Sequence, residues 1–200
     1  MPHIISRSML YSIVPCRSDV DREILKLRLD KIIIMMSLGS DVLEYLMEFE
    51  KYKEELNKLI EADQYYITVV PALIKSLEKN LGTDFFTKEQ LTSDLGLSEQ
   101  SIKKLRQDTI LLNKEDKWSF TLPRAGKYLT QLSKGRTELL TRLKRKPNKE
   151  LLQSELEKSK LKSSRLGTAF HIYDLVGRQD VKSITTSSGK LIRVVTREAV

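Results

Sequence analysis

Apolar positions along this chain alternate between a helical rhythm and a strand rhythm, and the order of the two rhythms recurs. Residues 4–15 are mostly apolar or small and predict a short helix broken near Pro15. Ser18-Asp19-Val20-Asp21 supplies N-cap chemistry for a helix carrying Val20, Ile24, Leu25, Leu27 and Leu29. The β-branched run Ile32-Ile33-Ile34-Met35-Met36 predicts a strand, Leu38-Gly39-Ser40-Asp41 a turn, and Val42 to Leu46 the returning strand. Lys51 to Ala62 is helical again, with Tyr52, Leu56, Leu59 and Ile60 on one face.

The same order follows twice more. Gln64 to Asn80 keeps helical periodicity despite Pro71, and Gly82 ends it. Thr87-Lys88-Glu89-Gln90 is a capping box that opens a second helix ending at Gly96, and Ser98 opens a third with Ile102 and Leu105 inward. Ile110-Leu111-Leu112 and Trp118 to Leu122 predict a hairpin around Lys114-Glu115-Asp116. Pro123 begins a helix running to Leu143 and ending near Pro147. Glu150 to Lys158 predicts another, with Leu151, Leu152 and Leu156 inward. Ser163-Ser164 is expected to cap a third, from Arg165 toward Gly177. Val181–Thr186 and Lys190–Val195 then form a hairpin around the tight Ser187-Ser188-Gly189 turn. Three helices followed by a hairpin is the winged-helix order. The expected fold is therefore α+β, three tandem winged-helix modules at residues 1–63, 64–133 and 134–200, the first incomplete.

Charge separates these segments. Residues 131–200 hold sixteen Lys/Arg against seven Asp/Glu, whereas residues 1–63 hold nine against twelve. A one-sided positive field gathers polyanions before specific contact. In the third module the candidate recognition helix from Arg165 to Leu175 offers little polarity beyond Arg165 and Thr168, so it is a poor base reader. Cations lie instead at the first helix end (Arg142, Lys144, Arg145, Lys146, Lys149), between helices (Lys158, Lys160, Lys162) and on the wing (Lys190, Arg193). That distribution fits phosphate contact, with little sequence preference and a steep salt dependence. The DNA-binding candidates are Arg142, Lys144, Arg145, Lys146, Lys149, Lys160, Lys162 and Arg165.

Other chemistries find little support. Cys16 is the one cysteine, expected to be at least partly buried, and His3 and His171 are the only histidines, so neither a disulfide nor a metal or other cofactor is implied. His171, among Phe170, Ile172 and Tyr173, reads as a core or interface histidine, with Asp174 expected to bond either to it or to a Ser/Thr near the wing. Trp118, Phe120 and Tyr128 read as core aromatics, and the Thr185-to-Ser188 hydroxyls as turn-formers. No apolar run approaches the length of a membrane span. The first residues, Met1-Pro2-His3-Ile4-Ile5-Ser6-Arg7, lack the pattern of a signal peptide. Eight glycines form neither G-x-G-x-x-G nor G-x-x-x-x-G-K-[ST], and no V-A-I-K, H-R-D or D-F-G occurs, so kinase activity is not expected.

Several segments carry a specific likeness. Arg7-Ser8-Met9-Leu10-Tyr11-Ser12-Ile13-Val14-Pro15, Ala125-Gly126-Lys127-Tyr128, Lys134-Gly135-Arg136 and Glu150 to Leu156 resemble the family historically labelled serine/threonine-protein kinase 19. So do Arg165-Leu166-Gly167, His171 to Gly177 and Ile184 to Leu191, the strongest stretch being 118–195. The resemblance implies a nuclear, tandem winged-helix protein that binds double-stranded DNA, or RNA, in transcription-coupled nucleotide excision repair. It implies contact with stalled RNA polymerase II, a Cockayne-syndrome-type recognition factor and TFIIH. The family's basic patch maps onto Lys144, Arg145 and Lys160, while two positions expected to be basic are Pro147 and Ser159. The resemblance also implies that the chain begins inside the family's first module, without its opening helix or an N-terminal import signal. The expected function is a non-catalytic adaptor; the alternative is a protein scaffold whose basic face docks an acidic partner. A homodimer is compatible with small modules but no surface specifies one.

Overall fold

The computed structural model describes residues 4–39 and 41–195, of which 41–43 are described by backbone alone. The expectations for Met1 to His3 and for Ser40 in the first turn fall outside the described residues. The chain is α+β and divides into two compact units: residues 1–5 with 18–125, and residues 6–17 with 126–200.

In the first unit, α2 (Arg17–Leu29) precedes a hairpin of β2 (Ile33–Leu38) and β3 (Asp41–Glu48), whose register runs from Ile33 opposite Glu48 to Leu38 opposite Asp41. Strand β1 (Ile4–Ser6) adds to β3. The expected helix over 4–15 is thus a short strand followed by α1 (Arg7–Ile13), capped by the Ser6 hydroxyl, which accepts from the Met9 amide. Four helices follow: α3 (Phe49–Ala62), α4 (Tyr66–Asn80), α5 (Lys88–Ser93) and α6 (Glu99–Gln107). The Thr87/Gln90 capping box opens α5 with both reciprocal bonds made. The unit closes with the hairpin of β4 (Leu111–Lys114) and β5 (Lys117–Phe120).

Polar bonds tie these elements around one core. The Ser37 and Ser119 hydroxyls bond at 2.8 Å between β2 and β5, and the Tyr52 hydroxyl donates to the Thr121 carbonyl at 3.1 Å. Arg28, only 5% exposed, donates to the Leu81 carbonyl at 2.7 Å, the Thr83 carbonyl at 3.0 Å and the Asp84 carboxylate at 2.6 Å. A buried guanidinium is tolerable only with its donors filled in this way. These bonds span residues 28 to 121, so residues 18–63 and 64–125 share one compact unit, whereas residues 6–17 and 126–133 belong to the other.

The second unit opens with α7 (Gly126–Lys144), one unbroken helix through the expected boundary at 133/134. A 3-10 turn at Pro147–Lys149 leads to β6 (Glu150–Leu152) and α8 (Gln153–Lys158), then α9 (Thr168–Gly177), β7 (Val181–Thr186) and β8 (Gly189–Val194). The expected helix over 150–158 therefore begins as a strand. Glu150 stands opposite Arg193 and Leu152 opposite Leu191, so β6 becomes the third strand of the wing sheet, ordered β6-β8-β7. The core is Leu139, Leu143, Leu156, Leu161, Ile172, Leu175, Val181 and Ile192. Burial of each such side chain contributes about 1.5–3 kcal/mol.

Helix α1 belongs to this second unit and packs on α9. The approach is so close that a Cβ at Gly177 would stand 2.0 Å from the Ser8 carbonyl oxygen. Cys16, just beyond α1, is exposed, against the expectation of burial: the chain leaving α1 has no core to enter there.

Candidate nucleic-acid interface

Helix α7 is the spine of the basic surface. Its buried positions Tyr128, Leu132, Gly135, Leu139 and Leu143 fall three or four residues apart and face the core. Gln131, Lys134, Glu138 and Arg142 share a second stripe, and the loop after α8 lies along it antiparallel to the helix. Arg142 donates to the Ser159 hydroxyl and the Lys160 carbonyl, both at 2.8 Å. Glu138 accepts from the amides of Lys162 at 3.1 Å and Ser163 at 2.8 Å, and from the Ser163 hydroxyl at 2.6 Å. The Ser163 hydroxyl also lies 3.2 Å from the Lys134 carbonyl, and the Arg165 amide donates to Gln131 at 2.8 Å. From Gln131 to Arg142 this seam runs about 16 Å at the helical rise per residue.

The seam brings most of the expected cations together. Lys160, Lys162 and Arg165 are carried along α7 on the loop, and Lys160 is held beside Arg142 in the helix's last turn, next to Lys144, Arg145 and Lys146. Lys149 closes the 3-10 turn with its amide on the Lys146 carbonyl at 3.0 Å. Asn148 and Lys149 both adopt positive φ, 53° and 55°, a conformation that costs a β-carbon-bearing residue about 1 kcal/mol or more. All seven of these cations are exposed, and none makes an ion pair among the described residues.

Two expected contacts are engaged within the protein, and Arg165 stays on the surface but outside the helix expected to carry it. Arg142 is 27% exposed, but its terminal nitrogens are occupied by Glu138, Ser159 and Lys160. Arg193 on the wing is paired with Glu150, its cross-strand neighbour. Arg165 lies before the helix, not in it: α9 starts at Thr168, after Gly167 at φ 85°, and no side chain caps it. Ser163 and Ser164, expected to cap it, bond to Glu138 and to His171. At this junction a groove of about 610 Å³ opens, lined among others by Lys160, Ser164, Arg165, Gly167 and Phe170. Helix α9 itself is a poor reader of bases: Thr168, His171, Ile172, Asp174 and Leu175 are buried, and α1 lies against it. The wing tip keeps Lys190 exposed, and the Thr186 hydroxyl bonds the Gly189 carbonyl at 2.7 Å, as a turn-forming side chain does.

Two buried polar groups fix α7 against α9. Arg136 grips Asp174 through two bonds, at 2.6 and 2.7 Å, with Asp174 1% exposed. Asp174 is bound to Arg136, and the Nε2 of His171 finds the Ser164 hydroxyl instead. His171, fully buried, bonds Ser164 at 2.8 Å and packs over Gly135, where a Cβ would come within 2.1 Å of the imidazole. Burial pushes its pKa down to about 4, against the opposing pull of Asp174. For Glu138, burial acts upward, yet the Ser163 hydroxyl, the Ser163 and Lys162 amides and Arg142 together hold its pKa down to about 2. It is a carboxylate throughout the neutral range. Glu138 and Gln131 were not among the residues anticipated, and Ser159 entered only as a position expected to be basic. The spacing of Glu138 and Arg142, four apart on a helix, was the one local signal.

Helices α7, α8 and α9 followed by the β7–β8 hairpin give this unit the winged-helix order within an α+β chain. The family described as inactive serine-threonine protein kinase 19 matches residues 1–194, and the chain belongs to it. The description agrees with the absence of every kinase motif from the sequence. The chain is 30% identical over 197 residues to winged helix repair factor 1 of Homo sapiens, covering 97% of this chain and 77% of that protein. It is 29% identical over 197 residues to the Mus musculus protein of the same name, with the same coverage. The Dictyostelium discoideum protein of that name is 35% identical over 135 residues, 64% of this chain and 34% of its own length.

Proposed function

We propose that this chain is a non-catalytic winged-helix adaptor that grips duplex DNA through its second unit during DNA repair. Seven exposed cations without carboxylate partners, on the end of α7, the 3-10 turn and the following loop, carry the reading. Carboxylates would cancel such a field, and none is paired here. The names of the relatives support repair as the setting. The three-module description remains part of this proposal: α4, α5 and α6 with β4–β5 repeat the helix–helix–helix–hairpin order of α7 to β8, while β2–β3 follows α2. On this reading the protein acts in the nucleus in transcription-coupled nucleotide excision repair. It joins DNA to the stalled RNA polymerase II assembly and TFIIH, the acidic residues 1–63 facing protein.

The test is a salt series of affinity for a 20-base-pair duplex, against single-stranded DNA and duplex RNA. If five to seven phosphates are engaged, the logarithmic slope is about −4.5 to −6. Reversing Lys144, Arg145 and Lys160 to Glu together lowers duplex affinity by roughly a thousandfold at low salt, each lost contact removing about one unit of slope. A flat series, or a triple variant that binds like the wild type, sinks the reading in favour of a scaffold with an acidic protein partner. Tighter binding to duplex RNA reassigns the polymer.

A further inference from the structure

The Ser159–Arg165 loop has no regular secondary structure, yet it is bonded to α7 at residues 131, 134, 138 and 142. Glu138 and Arg142 make most of these bonds and also bond each other. Glu138 takes two loop amides and a loop hydroxyl, and Arg142 takes a loop carbonyl and a loop hydroxyl. A third tie, from the Thr168 hydroxyl to the Ser159 carbonyl at 3.0 Å, fixes the loop's start to α9. Between these anchors the side chains of Lys160 and Lys162 stand exposed. Building on the duplex reading above, we propose that Glu138 and Arg142 are positioning residues. Their pair fixes the loop so that Lys160 and Lys162 meet successive phosphates, and Arg142 itself touches none.

This assignment reverses the sign that charge alone would give. Glu138 is an anion inside a cationic surface, so a simple field argument has its removal tightening the grip on a polyanion. A positioning role has the opposite consequence, because lysines on an untethered loop must be ordered at the moment of binding. Arg142→Lys is equally diagnostic. It conserves charge and would serve a phosphate well as a point charge, but it loses the planar fork that reaches Glu138, Ser159 and Lys160 at once.

The experiment uses the full chain, with duplex affinity measured by fluorescence anisotropy across a salt series and amide exchange followed at Lys162 and Ser163. Glu138→Gln is expected to weaken duplex binding about tenfold and to flatten the slope by about one to two units, despite a net charge one unit higher. Arg142→Lys is expected to weaken binding by a similar factor, and both variants to speed exchange at the two amides. Glu138→Gln binding as tightly as the wild type, or tighter, overturns the proposal. So does Arg142→Lys indistinguishable from wild type, or unaltered exchange at both amides. Should Glu138→Gln fail to fold, Arg142→Lys decides alone. A flat wild-type salt series combined with faster exchange in the variants separates the two failures: the tether exists, but the duplex is not what it serves.

Discussion

The two compact units pair their cations to different degrees. In the first, half of the described Lys and Arg pair with the protein's own carboxylates. Lys104 lies 3.2 Å from Asp63 and 3.1 Å from Asp108, Lys88 2.8 Å from Glu99, Lys58 2.6 Å from Glu55, and Arg28 is sunk against Asp84. In the second, Lys144, Arg145, Lys146, Lys149, Lys160, Lys162 and Arg165 stand without such partners, and three of the unit's carboxylates are engaged elsewhere. Asp174 holds Arg136, Glu150 holds Arg193, and Glu138 is filled by backbone amides and Arg142. An anion-attracting surface is thus made as much by occupying the acids as by accumulating the bases. Counting charges along a segment captures only the second half of that.

Arg136, like Arg142, Arg178 and Arg193, is a second-unit cation held by a carboxylate, and it is the most buried of the four. Asp174→Ala leaves its guanidinium without the buried carboxylate, and a loss of about 3–5 kcal/mol of folding stability is expected, read as a shift in the denaturant midpoint. Below the new midpoint the salt slope of duplex binding should stay as in the wild type. A changed slope would mean that Arg136 belongs to the interface after all. The next effect in size comes from acid. Burial holds His171 at about 4, below its ordinary 6.5, so the folded chain binds fewer protons than the unfolded chain between these values. Stability is full above pH 6.5 and falls as pH drops toward 4, by about 2 kcal/mol at pH 5 for this one group. A thermal-unfolding series from pH 7.5 to 5 checks it, and the slope should vanish in a folded His171→Gln variant. The smallest effect lies in the first unit. Lys51→Ala and Lys88→Ala break exposed pairs with Glu54 and Glu99, and neither duplex affinity nor unfolding temperature should move measurably. A loss of duplex affinity in either would extend the interface into the first unit and erase the contrast.

How much of this was legible in the chain follows the reach of each interaction. The Thr87/Gln90 box, the 181–194 hairpin with its turn, and the face of Tyr52, Leu56 and Leu59 all rest on neighbours within a few residues, and they appear where the pattern put them. Glu150–Leu152 does not, because its strand partner lies about forty residues further on and its leucines satisfy either rhythm. The same holds for Arg28, whose acceptors sit more than fifty residues away, and for α1, which the order of segments assigned to the first module. Within the interface the cations were visible as a cluster of like charge. Which of them are free was only partly so, since Glu138 sits one helical turn from Arg142 but Ser159 and Glu150 find their cations across the fold.

The seat of Ser8 over Gly177 carries a practical corollary for dissecting this molecule. A fragment cut to begin at α7 would contain every basic residue of interest and yet present α9 stripped of its cover, with Met9 removed from its buried place. Such a piece should aggregate or unfold when produced alone, and a synthetic peptide spanning residues 6–17 should rescue it in trans.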